Sequence, residues 1–358
     1  MKILSRMLLC CFFVAGFLFG CSQGTPPQEG STSSDAGNQD SVPDSTKPQP
    51  IRMRVMTFNI GTTKGLPHDR DTNDGYTSKH AKITDEFYEN SLSWNPAEKA
   101  LTDYLAKKKV DLVGFQEMYY DPWCESIQVD PTLDFVCKEY SKERPLQIQR
   151  LLGDDFQVAC AQGQEDNCLG IRKSVGRFKG CPLDKPCIDG VKGDGPPNKC
   201  SKGARIGSID VVLKDGTELT VVLVHGTSGF KPKDQECRKA QFQQIFEDKG
   251  DGKPAVSGTI NIILGDINTD PFSAGEADIS ASYWNKYVGK GKPFRYISSS
   301  DKDGPKTYGG LVRIDHVVSD AFTGSCVVPG ATPDEPDVMD VVYWDHKPVI
   351  CDVELSKR

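Results

Sequence analysis

The sequence contains no CxxC pair, no P-loop, no GxGxxG and no GxSxG, and no segment repeats another. These absences leave no motif-level support for a zinc ribbon, a dithiol redox centre, a P-loop or dinucleotide site, or a serine-hydrolase elbow. Positive charge is not in excess, since 43 Lys and Arg stand against 50 Asp and Glu for a net charge of −7. That argues against a general electrostatic grip on nucleic acid or anionic lipid, while leaving room for a local basic groove or a charge-neutralising metal. The apolar run Met7–Phe19 falls well short of the roughly 20 residues that a membrane-spanning helix needs. Histidine is scarce, with five in the whole chain, so each one near other polar groups carries information.

Cysteine, by contrast, is plentiful, at thirteen residues. Lys2 and Arg6 precede the apolar run, which ends in Leu18-Phe19-Gly20-Cys21. A charged region, a short apolar region and a small residue before Cys make a secretory signal. This end of the chain resembles the lipobox of bacterial lipoproteins, which implies cleavage after Gly20 and lipid on Cys21. Several acyl chains on one residue anchor firmly where a single chain does not. Ser22 at the next position, in place of Asp, points to the outer membrane. The alternative is an ordinary signal peptide cut near Gly20. Residues 1–20 are thus read as the signal and 21–50 as a lipidated Cys with a disordered tether. Ser22–Pro50 is rich in Ser, Pro, Gly, Gln and Asp and has too few apolar residues for a core. Flexible-chain scaling gives this tether an rms reach of roughly 30 Å. The folded domain is expected over residues 51–358.

Removing Cys10, Cys11 and Cys21 leaves Cys124, Cys137, Cys160, Cys168, Cys181, Cys187, Cys200, Cys237, Cys326 and Cys351. An even number in an exported chain suggests up to five disulfides, with the pairing open. A Cys-rich, loop-like insertion is expected around residues 160–203.

Within the folded part, Ile51–Ile60 alternates as a strand does, and Ala97–Lys109 has helical apolar spacing behind Asn95-Pro96. Val110–Met118 reads as a buried strand, and two strands flank a hairpin turn at Lys214-Asp215-Gly216. Glu236–Lys249 reads as a helix, followed by strands in "TINIILGDIN", "LVRIDHVVSD" and "VVYWDHKPVICDVEL". Many strands with few helices between them suggest an α/β sandwich. Ser280–Tyr296 carries five aromatics, either packed inward or presented to bases or lipid.

One pattern recurs along these strands. An apolar run stops and acidic, amide or imidazole groups follow: Asn59; Gln116-Glu117; His225; Asp266 and Asn268; Asp315; Asp345-His346. Each alone could serve a turn, but strand ends on one side of a sheet converge, and so many coincidences point to a site. In extended backbone Asp266 and Asn268 face the same side. Glu117, Asp345 and Asp266 are hard oxygen donors suited to Mg²⁺ or Mn²⁺. Two imidazoles can hold a phosphate oxygen or move protons. This is the equipment of metal-assisted phosphoester hydrolysis. Asp270, which precedes Pro271, reads as a turn residue.

The ordered set "TFNI", "VGFQE", "LVHG", "LGDIN", "RIDHVVSD" and "WDHKPV" resembles the endonuclease/exonuclease/phosphatase superfamily from Arg54 to Glu354. The resemblance implies an α/β (α+β) four-layered sandwich, two mixed β-sheets flanked by helices. It implies Glu117 as principal metal ligand, supported by Asn59 and Asp345, with Mg²⁺ or Mn²⁺ as cofactor. Asp266 would orient or deprotonate the attacking water, with Asn268 placing the water or the phosphate. His225 and His346 would contact the phosphate, Asp315 would orient a histidine, and Arg205 would bind substrate. Gly226 departs from the Leu that commonly follows the first His.

The expected substrate is a phosphoester, most readily nucleic acid, which makes the protein a membrane-anchored nuclease-type phosphodiesterase. A sphingomyelinase-like or phosphoinositide-phosphatase activity on lipid head groups is the alternative. A catalytically inactive surface binding module is a third reading, of another class. The sequence gives no sign of a protein partner. Asp69–Tyr76, with Asp69, Asp71, Asn73 and Asp74, resembles a calcium loop, but Gly75 falls one place late and His80 stands where Glu is needed. It is read as an Asx-rich turn or a structural Ca²⁺ site.

Overall fold

A computed structural model describes residues 49–61, 94–119, 121–125, 135–161, 164–182, 187–191, 200, 205–248, 252–339 and 343–355. The expected signal, the expected tether up to residue 48 with Cys21, and the calcium-like loop with His80 lie outside the described residues.

Among the described residues thirteen strands form two hydrogen-bonded sheets. The first sheet contains β1 (Ile51–Asn59), β2 (Leu112–Gln116), β3 (Phe156–Ala161), β4 (Gln164–Arg172), β12 (Thr323–Val327) and β13 (Val349–Leu355), in the order β12-β13-β1-β2-β4-β3. The second contains β5 (Gly176–Phe178), β6 (Asp189–Val191), β7 (Ile206–Leu213), β8 (Glu218–His225), β9 (Asn261–Asp266), β10 (Arg295–Tyr296) and β11 (Asp315–Ser319). Its order is β10-β11-β9-β8-β7-β5, with β6 also on β7. The β1–β2 and β8–β9 pairs are parallel and the other pairs antiparallel, so both sheets are mixed.

Because side chains alternate along a strand, each sheet feeds two cores. Met53 and Val55 of β1, Val221 and Leu223 of β8, Ile262 and Leu264 of β9 and Val317 of β11 fill the core between the sheets. Met56 and Phe58 point the other way, onto Ala97, Leu101 and Leu105 of helix α1 (Asn95–Lys108) and Ile148 and Leu151 of α2 (Gln147–Leu152). Val222, Val224 and Ile263 meet Phe242 and Ile245 of α3 (Pro232–Phe246) and Trp284 of α4 (Ile279–Trp284). Three cores between four layers give the helix–sheet–sheet–helix sandwich expected from the sequence. Each fully buried aliphatic side chain in them contributes roughly 1.5–3 kcal/mol of hydrophobic stabilisation.

Several local expectations need adjusting. Helix α3 starts at Pro232, four residues before Glu236, and stops at Phe246, short of Lys249. Pro232 opens the first turn, Asp234 Oδ2 accepts the Lys231 N–H at 3.1 Å, and extended backbone at Glu247 ends the helix. Asp315 begins β11 instead of ending a strand, and Asp345-His346 precede β13. They reach the same edge all the same, since β11 and β13 run antiparallel to β9 and β1. The aromatics of Ser280–Tyr296 pack inward: Trp284 and Phe294 are buried, Tyr287 stacks on Phe246 at 4.5 Å, and Trp284 Nε1 donates to the Tyr296 hydroxyl.

All ten cysteines of the folded part pair, as Cys124–Cys137, Cys160–Cys168, Cys181–Cys187, Cys200–Cys237 and Cys326–Cys351. Cys160–Cys168 and Cys326–Cys351 join directly opposed residues of neighbouring strands. Cys181–Cys187 lies just after β5, and Cys200–Cys237 ties Cys200 to α3.

Candidate active site

β1, β2, β8 and β9 all finish at one end of the sandwich, where β11 begins. Register places Asn59 opposite Gln116, His225 opposite Asp266, and Asp266 opposite Asp315. The chain then has to turn sharply at this edge. Among the described residues only Lys109, Glu117 and Asn268 are non-glycine residues with positive φ, and two of these three belong to the site. Gly265, just before Asp266, has φ +144°, and a Cβ there would lie 1.9 Å from the Val224 carbonyl oxygen. The glycine therefore lets β9 close onto β8 immediately below Asp266 and Asn268.

Asn59 ties the two sheets together. Its Nδ2 donates to Glu117 Oε1 at 3.1 Å and to Asp266 Oδ2 at 3.2 Å, while its Oδ1 accepts the Gly61 N–H. It thus orients two carboxylates. Glu117 Oε1 also lies 3.3 Å from His225 Nε2. Burial pushes the Glu117 carboxyl up, but the His225 bond and charge, the His346 charge and the Asn59 bond outweigh it and hold Glu117 at about 2. Asp266 accepts the Asn268 N–H at 2.7 Å and Asn268 Nδ2 at 2.9 Å. Burial raises it to about 6, with the nearby His346 charge opposing and Asp315 reinforcing the rise.

His346 Nδ1 donates to Asp315 Oδ2 at 2.9 Å, and its Nε2 lies 3.8 Å from Asp266 Oδ2. Burial alone would lower this imidazole, but the Asp315 charge and hydrogen bond, then Asp266 and Asp345, raise it to about 10. His346 is therefore an imidazolium at neutral pH. His316, the next residue after Asp315, is the opposite case. Burial drives it down to about 4, and it sits neutral between Ser298 Oγ and the Arg313 carbonyl. It is a core histidine, unconnected to the chemistry.

Arg205 adjoins the site through its backbone, its carbonyl accepting the His225 N–H, and its Nη1 reaches the Gly226 carbonyl at 3.5 Å. Gly226 has a steric reason: a Cβ there would lie 2.5 Å from the Ile267 carbonyl oxygen, and its own carbonyl accepts Asn268 Nδ2 at 2.9 Å. Asp345 accepts the Gly309 N–H through its backbone carbonyl and adds negative charge near His346. Asp270 is a turn residue, accepting the Phe272, Ser273 and Arg313 N–H groups.

Two residues were missed in the sequence. Thr307 Oγ1 accepts the Ile314 and Asp315 N–H groups, fixing the start of β11, and the Tyr308 ring packs 4.7 Å from that of His346. Only Gly309-Gly310 marks their segment as a special turn, and neither Thr nor Tyr there signals a role.

The donor set fits a hard divalent cation. Among the described residues Glu117 Oε1 takes both hydrogen bonds and Oε2 none, and Asp315 Oδ1 is buried without a partner. Asp266, Asp315 and His346 also bring one ligand atom each within 4.8 Å of one another. Protonated His346 is a poor ligand, so the carboxylates are the better donors.

Compared by sequence, the chain matches no protein-family model and no curated protein. Compared by structure, it is similar to an endonuclease/exonuclease/phosphatase family protein from Bacteroides thetaiotaomicron, with a TM-score of 0.51 at 12% identity over 87% of this chain and 100% of the other. It is also similar to the endonuclease/exonuclease/phosphatase from Beutenbergia cavernae, with a TM-score of 0.51 at 15% identity over 85% and 72%. A third similar structure is ANGEL2, a 2′,3′-cyclic phosphatase solved with adenosine-2′,3′-vanadate, with a TM-score of 0.51 at 11% identity over 87% and 98%. The chain has the endonuclease/exonuclease/phosphatase fold, the architecture expected from its sequence motifs.

Proposed function

We propose that the protein is a divalent-metal-dependent phosphoester hydrolase, most readily a nuclease-type phosphodiesterase. One observation carries this reading: Asn59, Glu117, His225, Asp266, Asn268, Asp315 and His346 meet at one end of the sandwich, in direct hydrogen-bond or ionic contact. The fold shared with known phosphoesterases supports it.

Glu117 would hold Mg²⁺ or Mn²⁺, with Asn59 orienting its carboxylate and Asp345 adding charge. When bound, the cation supplies a Lewis acid for the phosphate oxygens. Asp266, ionised above about pH 6, accepts the proton of the attacking water. Asn268, bonded to both Asp266 and Gly226, keeps that carboxylate in one orientation. His346, held protonated by Asp315, donates to the phosphate oxygens as negative charge grows on them, and His225 stands on the other side of Asp266. Arg205 offers a further cation for the substrate.

The N-terminal motif supports an exported lipoprotein, acylated on Cys21 and held at the outer membrane by that lipid. Fatty-acid labelling lost in Cys21→Ala is the expected result, and labelling retained in that variant would refute it. Substrate class is tested by parallel assays with Mg²⁺ on DNA, RNA, sphingomyelin, phosphoinositides and bis-p-nitrophenyl phosphate. Cleavage of nucleic acid and the diester is expected. Cleavage confined to the lipids would transfer the assignment to lipid head groups, and cleavage of none would leave the inactive binding module.

A further inference from the structure

A cavity of about 390 Å³ opens beside the catalytic residues and shares Asn268 and Tyr308 with them. Its size falls within the roughly 300–1,000 Å³ of small-molecule sites. Phe230, Tyr308, Val312 and Ile314 line it, together with the small side chain of Ala277. Only four large apolar side chains are exposed among the described residues; one lines the cavity and two are next in sequence to residues that line it. Phe230 lines the cavity and is 85% exposed, Leu311 adjoins Val312 and is 77% exposed, and Ile279 adjoins Asp278 and is 42% exposed. Gln235 connects two of them, donating to the Phe230 carbonyl and accepting the Ile279 N–H. An aromatic side chain left this exposed at a cavity wall signals a binding surface.

The cavity is preformed. Arg238, fully buried, donates to the Thr227 and Gly229 carbonyls at 2.8 and 2.6 Å, to Ser280 Oγ at 3.0 Å and to Asp278 Oδ2 at 2.8 Å. It clamps the loop that carries Phe230 against the wall formed by Asp278. The carboxylates in the lining are spent: Asp278 accepts from Thr269, Ser280 and Arg238, and Asp270 from its own turn and the Arg313 N–H. Asp278 is neutralised by Arg238, and neither carboxylate offers a free ligand, which gives no cation site. Among the described residues the Ser228 and Tyr308 hydroxyls have no hydrogen-bond partner, so polar edges remain for a ring with its own donors and acceptors.

Building on the hydrolase reading above, we propose that this cavity seats the nucleobase of a nucleotide whose phosphate lies at Asp266 and His346, with Phe230 and Tyr308 as stacking faces. An uncharged heteroaromatic ring suits the aromatic lip, the unspent hydroxyls and the spent carboxylates together. The nucleotide could be free or stand at the end of a strand, and the recognition is the same.

Calorimetry on the full chain, with and without Mg²⁺, compares adenosine 5′-monophosphate with ribose 5-phosphate and inorganic phosphate. The nucleotide should bind about tenfold or more tightly than ribose 5-phosphate, the scale of one base–aromatic stack. Phe230→Ala removes the lip, and Ala277→Trp fills the hollow from an exposed position where the fold tolerates it. Each should cut the preference to less than about threefold and leave phosphate binding unchanged. Equal binding of the nucleotide and ribose 5-phosphate, or a preference that survives both variants, would overturn the proposal. A short single-stranded oligonucleotide then competes with the mononucleotide: competition sensitive to both variants assigns the site to strand ends, and its absence to free nucleotides. Hydrolysis of a methyl phosphodiester reports separately on the hydrolase reading, so an intact preference without hydrolysis contradicts only that reading.

Discussion

His346 Nδ1 lies 2.9 Å from Asp315 Oδ2, and both side chains are buried. The pair fixes the imidazole's protonation as well as its direction, since Asp315 is the main influence raising His346 from the ordinary 6.5 to about 10 against the effect of burial. In the metal-free protein, ring-NMR titration should show His346 charged past pH 8, while neutral His316 shows no titration above about pH 5. Asp315→Asn should bring the His346 transition down by more than one pH unit. An unchanged transition would mean that Asp315 does not hold the imidazole protonated.

The same shift makes a stability prediction. A histidine whose folded pKa is raised stabilises the native state fully below its unfolded value of 6.5, and the contribution is lost as pH rises through about 10. Urea melts of the metal-free protein at pH 6 and pH 9.5 should therefore differ more for wild type than for Asp315→Asn. Equal differences would contradict the linkage.

Glycine at two site positions should be irreplaceable. Gly265→Ala puts a methyl against the Val224 carbonyl on a backbone that L-residues avoid, and Gly226→Leu, which installs the commoner residue, meets the Ile267 carbonyl. Each should lose about 2–4 kcal/mol by chemical denaturation. Gly226→Leu should also lower kcat, because the Gly226 carbonyl holds Asn268.

Much of this was legible in the sequence for a physical reason. Continuous apolar runs revealed β8 and β9, because both faces of each strand are buried, alternation revealed β1, and the polar residues that broke those runs marked the edge where they converge. Direction was not legible. Asp315 and His346 reach the site at the beginnings of antiparallel strands, and nothing local to "RIDHVV" or "WDHKPV" distinguishes a start from an end. Thr307 and Tyr308 stayed hidden because their roles, a backbone hydrogen bond and a ring contact, depend on the path of a turn. The start of α3 was misplaced because Lys231–Gln235 lacks apolar spacing, although Pro232 and Asp234 carried the signal.

Disulfide removal should rank by loop length. Cys200–Cys237, 37 residues apart, should contribute about 3–4 kcal/mol in the chain-entropy model, more than Cys160–Cys168, 8 residues apart, at about 2–3 kcal/mol. Thermal melts of the paired Cys→Ser variants check the order.

The central claim is that one end of the sandwich hydrolyses phosphoesters with Asp266 and His346 at the reacting phosphate. It is tested most directly by kcat on bis-p-nitrophenyl phosphate with Mg²⁺ for wild type, Asp266→Ala and His346→Ala, each checked for folding by circular dichroism. The account predicts wild-type turnover abolished by EDTA and a fall of about 10²–10⁴-fold in each variant. Turnover near wild type in both folded variants would contradict it.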